Sequence, residues 1–203
     1  MIRLAMTAAA VMTVAAGAAW AQAPAGPTVV RGVVSAMDAN SITVKGAKGA
    51  KTTVGLTPQW TVAMMKPVTT DAIQPGSFIG TAEMPNPDGT GKSLEVHVFP
   101  PGVKMGEGHY GWDLKPGSMM TNGTVGTVVK GKAGSRELDV NYSYGTRHIT
   151  VPPKVPIVQF TSGTHAQVKS GVPVFLVVQK GKNEREMFHR GLLVFPAHAS
   201  ITP

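Results

Sequence analysis

TVVRGVVSAMDANSITVK, residues 28–45, decides how this chain is read. Two β-branched runs, TVVRGVVSAM and SITVK, flank Asp38-Ala39-Asn40. Asp and Asn supply turn chemistry there, and Asn tolerates the positive φ that tight hairpins need. Short apolar runs bounded by such residues read as antiparallel strands. The same grammar continues outward through KTTVGL (51–56), WTVAM (60–64), SFIGTAEM (77–84), the turn Pro87-Asp88-Gly89 and SLEVHVF (93–99). Only residues 67–74 and about 162–169 invite a helical turn. The chain is predicted to be all-β.

Beyond residue 120 the pattern starts again, with TVGTVVKG, ELDVNYS, HITV, PIVQF, VPVFLVVQ and MFHRGLLVF. Three anchors align the two stretches. Gly32 matches Gly123, Gly76 in AIQPGSFIG matches Gly171 in AQVKSGVPVF, and VHVFP (96–100) matches LLVFP (192–196). A recurring order of signals at a fixed period marks an internal repeat, here a unit of about six strands. A unit of about 75 residues buries only ~60–65% of its unfolded surface, and closing into a small barrel removes exposed edges. The expectation is two tandem small OB-like β-barrels, residues 28–100 and 121–196, joined by an ordered connector over 101–120. Tails of 22–27 and 197–203 flank them. Gly32, Gly76, Gly123 and Gly171 are expected where turns need positive φ or close backbone approach. Trp60, Phe78, Phe99, Phe175 and Phe195 are core candidates by strand phase.

The stretches GVVSAMDANSITV (32–44), DAIQPGSFIG (71–80) and PDGTGKSLEVHVF (87–99) resemble a bacterial exported domain of unknown function. That domain begins G-x-V-x-x-v-d-x-N-x-h-T-V and closes with a D-G-T hairpin and a final apolar strand. The second copy departs from it, with Gly131-Lys132-Ala133-Gly134 for the compact turn and Lys182-Asn183-Glu184 for D-G-T. The resemblance covers nearly the whole chain after the leader. It implies an OB-like barrel and an exported location, and it implies no established activity. A metal-transport label carried by some relatives does not suit this chain, since a permease needs many spanning helices.

Residues 1–21, MIRLAMTAAAVMTVAAGAAWA, have the charged start, apolar run and small-x-small exit (Ala19-Trp20-Ala21) of a secretory signal. Export, most simply to the periplasm, is the expectation, with no transmembrane segment in the mature chain. The chain has no Cys, so its core alone must hold it. Formal charge is +8 and uneven: residues 22–120 carry a net +1, residues 121–203 a net +6. The basic half could attract an anionic envelope component or an acidic protein. The bland reading is a solvated face that aids solubility. Nucleic acid is not expected for an exported protein.

MGEGHYGWDLKPGSMM (105–120) holds most of the unusual chemistry. Its G-x-G-x-x-G at Gly106, Gly108 and Gly111 fails as a dinucleotide loop, because no helix start follows it. Glu107 and His109, with His97 beside Glu95 on a preceding strand, are the candidate metal ligands, for Cu or Zn, since imidazole suits both and thioether suits copper. The competing reading has Tyr110, Trp112 and Leu114 plugging the groove between two barrels, with the polar side chains serving a loop that lacks ladder partners. No Cys nucleophile, G-x-S-x-G elbow or H-E-x-x-H helix occurs, so no enzyme is expected. The sequence therefore favours a non-catalytic exported binding or scaffolding protein without a cofactor. A periplasmic metal-binding protein is the alternative.

Overall fold

The computed structural model describes residues 28–178 and the backbone of residues 179–180 and 187–194. The leader, both tails, Phe195, Lys182 and Arg185 lie outside the described residues. The described chain is all-β: β1 (Thr28–Met37), β2 (Ser41–Lys45), β3 (Lys51–Leu56), β4 (Val62–Pro67), β5 (Phe78–Pro85), β6 (Gly91–Val98), β7 (Gly108–Gly111), β8 (Met119–Lys130), β9 (Arg136–Tyr142), β10 (Gly145–Val151), β11 (Ile157–Ser162), β12 (Pro173–Lys180) and β13 (Met187–Val194). The two expected helical turns are single 3₁₀ turns, Thr70–Ala72 and His165–Gln167.

Five strands close a barrel in the order β8-β9-β10-β6-β5. The closing contact is the parallel pairing of β10 with β6, Ile149↔Gly91 and Thr150↔Lys92. Strand alternation fills it: Leu138 and Val140 of β9, Ile149 and Val151 of β10, and Val96 and Val98 of β6 all point inward. A second sheet, β13-β12-β1-β2-β3, curls until two residues of β13 pair in parallel with β3, Phe188↔Gly55 and His189↔Leu56. Its core is Val34, Ile42, Val44, Val54, Leu56, Trp60, Val174, Leu176 and Val178 with their neighbours. Between the two lies a seam, β4 antiparallel to β11, where Met65 sits opposite Phe160.

The barrel boundaries expected from sequence, 28–100 and 121–196, do not match this pairing. The closed barrel takes its meander, β8-β9-β10, from the second stretch and its hairpin, β5-β6, from the first. The curled sheet takes β1-β2-β3 from the first stretch and β12-β13 from the second. The physical reason lies in two equivalent stitches. Gly76 N–H donates to Val125 C=O at 2.7 Å and Val125 N–H to Ser77 C=O at 2.9 Å. Gly171 N–H donates to Val34 C=O at 2.9 Å and Val34 N–H to Val172 C=O at 2.9 Å. Both glycines sit at positive φ, 83° and 88°. Each hairpin thus carries the same docking turn, and turn chemistry alone does not say which meander receives it.

Gly32 and Gly123 also hold matching places. A Cβ on Gly32 would lie 2.2 Å from Lys45 O, and one on Gly123 would lie 2.3 Å from Asn141 O. Trp60, Phe78 and Phe175 are buried as expected, and Phe99 is half-buried beside Phe78 and Phe160.

Candidate functional site

The connector is a built element. Its β7 pairs antiparallel with β8, from Gly108↔Asn122 to Gly111↔Met119. Tyr144 caps the backbone of His109 from the other side: its Oη accepts from His109 N–H at 2.7 Å and donates to His109 C=O at 3.1 Å. The G-x-G-x-x-G therefore opens a strand. Beyond it, Trp112 N–H donates to Ser118 C=O at 2.9 Å, closing a turn. The Trp112 ring reaches the other sheet, 6.1 Å from Phe175 by centroid. The Arg31 guanidinium lies 5.4 Å from the Trp112 ring and 4.8 Å from that of Phe175, and it also pairs with Asp113. The connector thus touches both sheets; Trp112 is half-buried, and Glu107 and Met105 are exposed.

Beneath this strap, at the seam, lies a pocket of about 330 Å³. Phe99, Phe160, Phe175, Tyr110 and Trp112 form its aromatic walls, and Val62, Ala63, Val177, Met105 and Met120 add aliphatic and thioether surface. Among the described residues its polar lining is His97, Asn122, Thr61, Thr161 and Ser162, with no Lys, Arg, Asp or Glu. Asn122 Nδ2 donates to Gly106 C=O at 2.8 Å and to Tyr110 Oη at 2.6 Å, while Tyr110 O–H donates to Gly106 C=O at 3.1 Å. This triangle holds the strap at the pocket's edge. Burial and the nearby Tyr144 push the Tyr110 phenol up to about 12, against a smaller lowering by the hydrogen bond from Asn122.

In the lining, His97 Nε2 lies 3.3 Å from Glu95 Oε1, without the alignment of a hydrogen bond. Burial pushes the Glu95 carboxyl upward, but the His97 imidazole and the charge of Arg31 outweigh it, and the net shift is downward. Strand alternation puts Glu95 and His97 on one face and Val96 and Val98 on the other. The structure keeps that split and buries both faces.

His109 goes elsewhere. Its Nδ1 is 2.8 Å from Thr121 Oγ1 and 3.6 Å from Glu83 Oε1. Glu83 is fully buried and accepts from Arg147 Nε at 2.7 Å, while the same guanidinium donates to Gly89 and Thr90 carbonyls. Burial raises the Glu83 carboxyl more than Arg147 and Thr121 lower it. Burial and the charge of Arg147 lower the His109 imidazole, so the 3.6 Å approach to Glu83 is not an ion pair near neutral pH. The expected metal set of Glu107, His109 and His97 is not brought together. Glu107 is exposed, His109 faces Thr121, and His97 faces Glu95. Among the described residues no three His, Asp or Glu side chains converge as a ligand group.

Several site residues gave little sequence signal. Phe160 and Ala63 read as ordinary strand residues, and Asn122 carried no site signal. Glu83 in the apolar run SFIGTAEM was the one available flag, because a carboxylate inside a strand core needs a partner. Of the basic side chains after residue 120, Arg136 and Arg147 pair with Asp71 and Glu83, while Lys130, Lys132, Lys154 and Lys169 are exposed. No helix among the described residues is long and apolar enough to cross a membrane. Comparison with family models, curated proteins and solved structures gives no match.

Proposed function

We propose that this chain is an exported, non-catalytic binding protein that holds a small, mainly apolar molecule in the pocket at its seam. The observation that carries this is an aromatic-walled cavity of about 330 Å³ with no charged side chain among the described residues that line it. That size lies within the usual range of small-molecule sites, which are apolar with a few placed polar groups. The lining amide and phenol, Asn122 and Tyr110, are tied to the strap's Gly106 carbonyl, an arrangement suited to holding a shape. Export rests on the leader-like residues 1–21, and the exposed lysines of the second half suit an anionic envelope surface.

The architecture is read as a duplicated OB-like unit with exchanged closing hairpins. Matching β1 to β8, β2 to β9, β3 to β10, β4 to β11, β5 to β12 and β6 to β13 maps every ladder but that of β7 onto another ladder or itself. The matched bonds Val68 N–H to Ile157 C=O and Gly163 N–H to Val62 C=O, both 2.9 Å, support the same relation across the seam.

Titration with N-phenyl-1-naphthylamine, a neutral dye that brightens in apolar sites, tests the binding reading. Saturable binding on the order of micromolar is expected. Ala63→Phe, which fills the cavity, should abolish it while leaving the far-ultraviolet circular dichroism unchanged. Dye binding indifferent to that substitution would defeat the reading. Tight Cu or Zn binding that disappears in His109→Ala would favour the metal alternative instead.

A further inference from the structure

Resting on that reading, we infer that residues 102–107 are a hinged cover over the pocket, latched at the Gly106 carbonyl, and that ligand enters and leaves when the latch releases. The cover is set apart from the strands on either side. β6 ends at Val98, β7 begins at Gly108, and residues 101–107 are all exposed. Among the described residues the only backbone bond made by 101–107 is Val103 N–H to Pro100 C=O at 3.0 Å, which ties the segment to no strand. Pro100-Pro101 forms a stiff post at one end, because each ring fixes φ. Gly102 turns beyond that post at φ 79°, and Gly106 turns at the other end at φ 60°. Both lie in the left-handed region that glycine enters at no steric cost.

The latch is built around Gly106. Asn122 Nδ2 and Tyr110 O–H both donate to its carbonyl, and a Cβ there would lie 2.9 Å from Tyr110 Oη and 3.0 Å from Asn122 Nδ2. Gly80 of β5 makes room for the same amide, since a Cβ on it would lie 2.3 Å from Asn122 Oδ1. What the latch holds in place is apolar: Val103 and Met105 line the pocket, yet they are 37% and 49% exposed. A ligand that covers part of that surface favours the closed cover, because burying apolar area is favourable and shifts the balance toward the state that offers it. Opening exchanges two bonds at one carbonyl for bonds to water, each a modest net change. It breaks no ladder. The open cover is therefore a minor state reached by local opening, without unfolding of a strand.

The experiment reads the cover and the pocket separately. Trypsin cutting at Lys104, which lies on the cover, reports opening without any ligand. Stopped-flow mixing with N-phenyl-1-naphthylamine reports entry, and dilution of the complex reports exit. Tyr110→Phe keeps the ring and removes the hydroxyl that bridges Asn122 and Gly106. It should speed cutting and both dye rates by roughly fivefold, the weight of one hydrogen bond. Saturating dye should slow cutting of the unsubstituted protein. Gly80→Ala, outside both the cover and the lining, should act in the same direction by displacing the Asn122 amide. Tyr110→Phe keeps the test valid if that second variant folds poorly. Cutting unchanged in Tyr110→Phe would overturn the latch. Faster cutting with unchanged dye rates would overturn the gate while leaving an apolar site with another way in. Failure of the dye to bind the unsubstituted protein would remove the binding reading, and the gate with it.

Discussion

At the scale of single residues, Gly123 and Arg147 do the most to define the barrel. A methyl on Gly123 meets the Asn141 carbonyl at 2.3 Å, whereas one on Gly111 meets nothing within 4 Å. Gly123→Ala should therefore cost about 1–3 kcal/mol in urea melts, from the forced backbone shift, and Gly111→Ala should be close to neutral. Arg147 is the counter-charge of a fully buried carboxylate. Removing one member of a buried pair costs about 3–5 kcal/mol, so Arg147→Ala is strongly destabilising. Its pH dependence has a definite sign. Glu83 is raised in the folded state by burial, so its contribution is full below the ordinary value of 4.5 and fades as pH climbs through the folded value. Without Arg147 that value climbs further. Lowered His109 runs the opposite way, losing stability as pH falls, and losing Arg147 relaxes that penalty too. The loss in Arg147→Ala should consequently be larger in neutral than in mildly acid buffer; a loss independent of pH would show that the charge of Glu83 is not what Arg147 serves.

At the scale of elements, the connector behaves as a strand and a turn fixed by particular groups. Trp112 is half-buried against Arg31 and Phe175. Its truncation to Ala should cost about 2 kcal/mol, below the 3–5 typical of a fully buried ring. Tyr144→Phe removes the single hydroxyl that serves both backbone groups of His109. Amide exchange of β7 should quicken there while β8, paired on both sides, stays protected; unchanged protection of β7 would mean the ladder alone holds it. Strands such as SITVK and ELDVNY were legible because alternation is written in the chain itself. The burial of Ile42 and Val44, or of Leu138 and Val140, follows that phase. The strap was legible as ordered because it carries rings that a flexible linker avoids. The pocket was not, because it is made where five separated segments meet and no local pattern records that meeting. The metal set failed for a related reason: spacing of two along a strand puts His97 with Glu95, but says nothing about how far away β7 will lie.

At the scale of the whole molecule, the question is why each hairpin crosses to the other meander. By ladder register, Val178 stands where Glu83 does, and Thr52 where Arg147 does. Keeping each hairpin at home would place Glu83 beside Thr52 and Arg147 beside Val178, burying two charges apart. Of these two pairings only the observed one sets the two charges side by side. Since each folded layer needs strands from both halves, thermal unfolding should be one transition even in Trp112→Ala, with tryptophan fluorescence and circular dichroism coinciding; two separated transitions would contradict the crossing. Refolding should be slow, because β1 must find β12 across most of the chain. The crossing also changes what a cut would do. Residues 101–107 are exposed and carry Lys104, a trypsin site. Severing the chain there would break a covalent link that the fold does not rely on. The two fragments would stay clasped, each holding the other's missing hairpin, and would leave a sizing column together until denaturant released them. Mixed in denaturant and diluted together, they should reassemble, so that the chain can be treated as a heterodimer that happens to be translated as one piece.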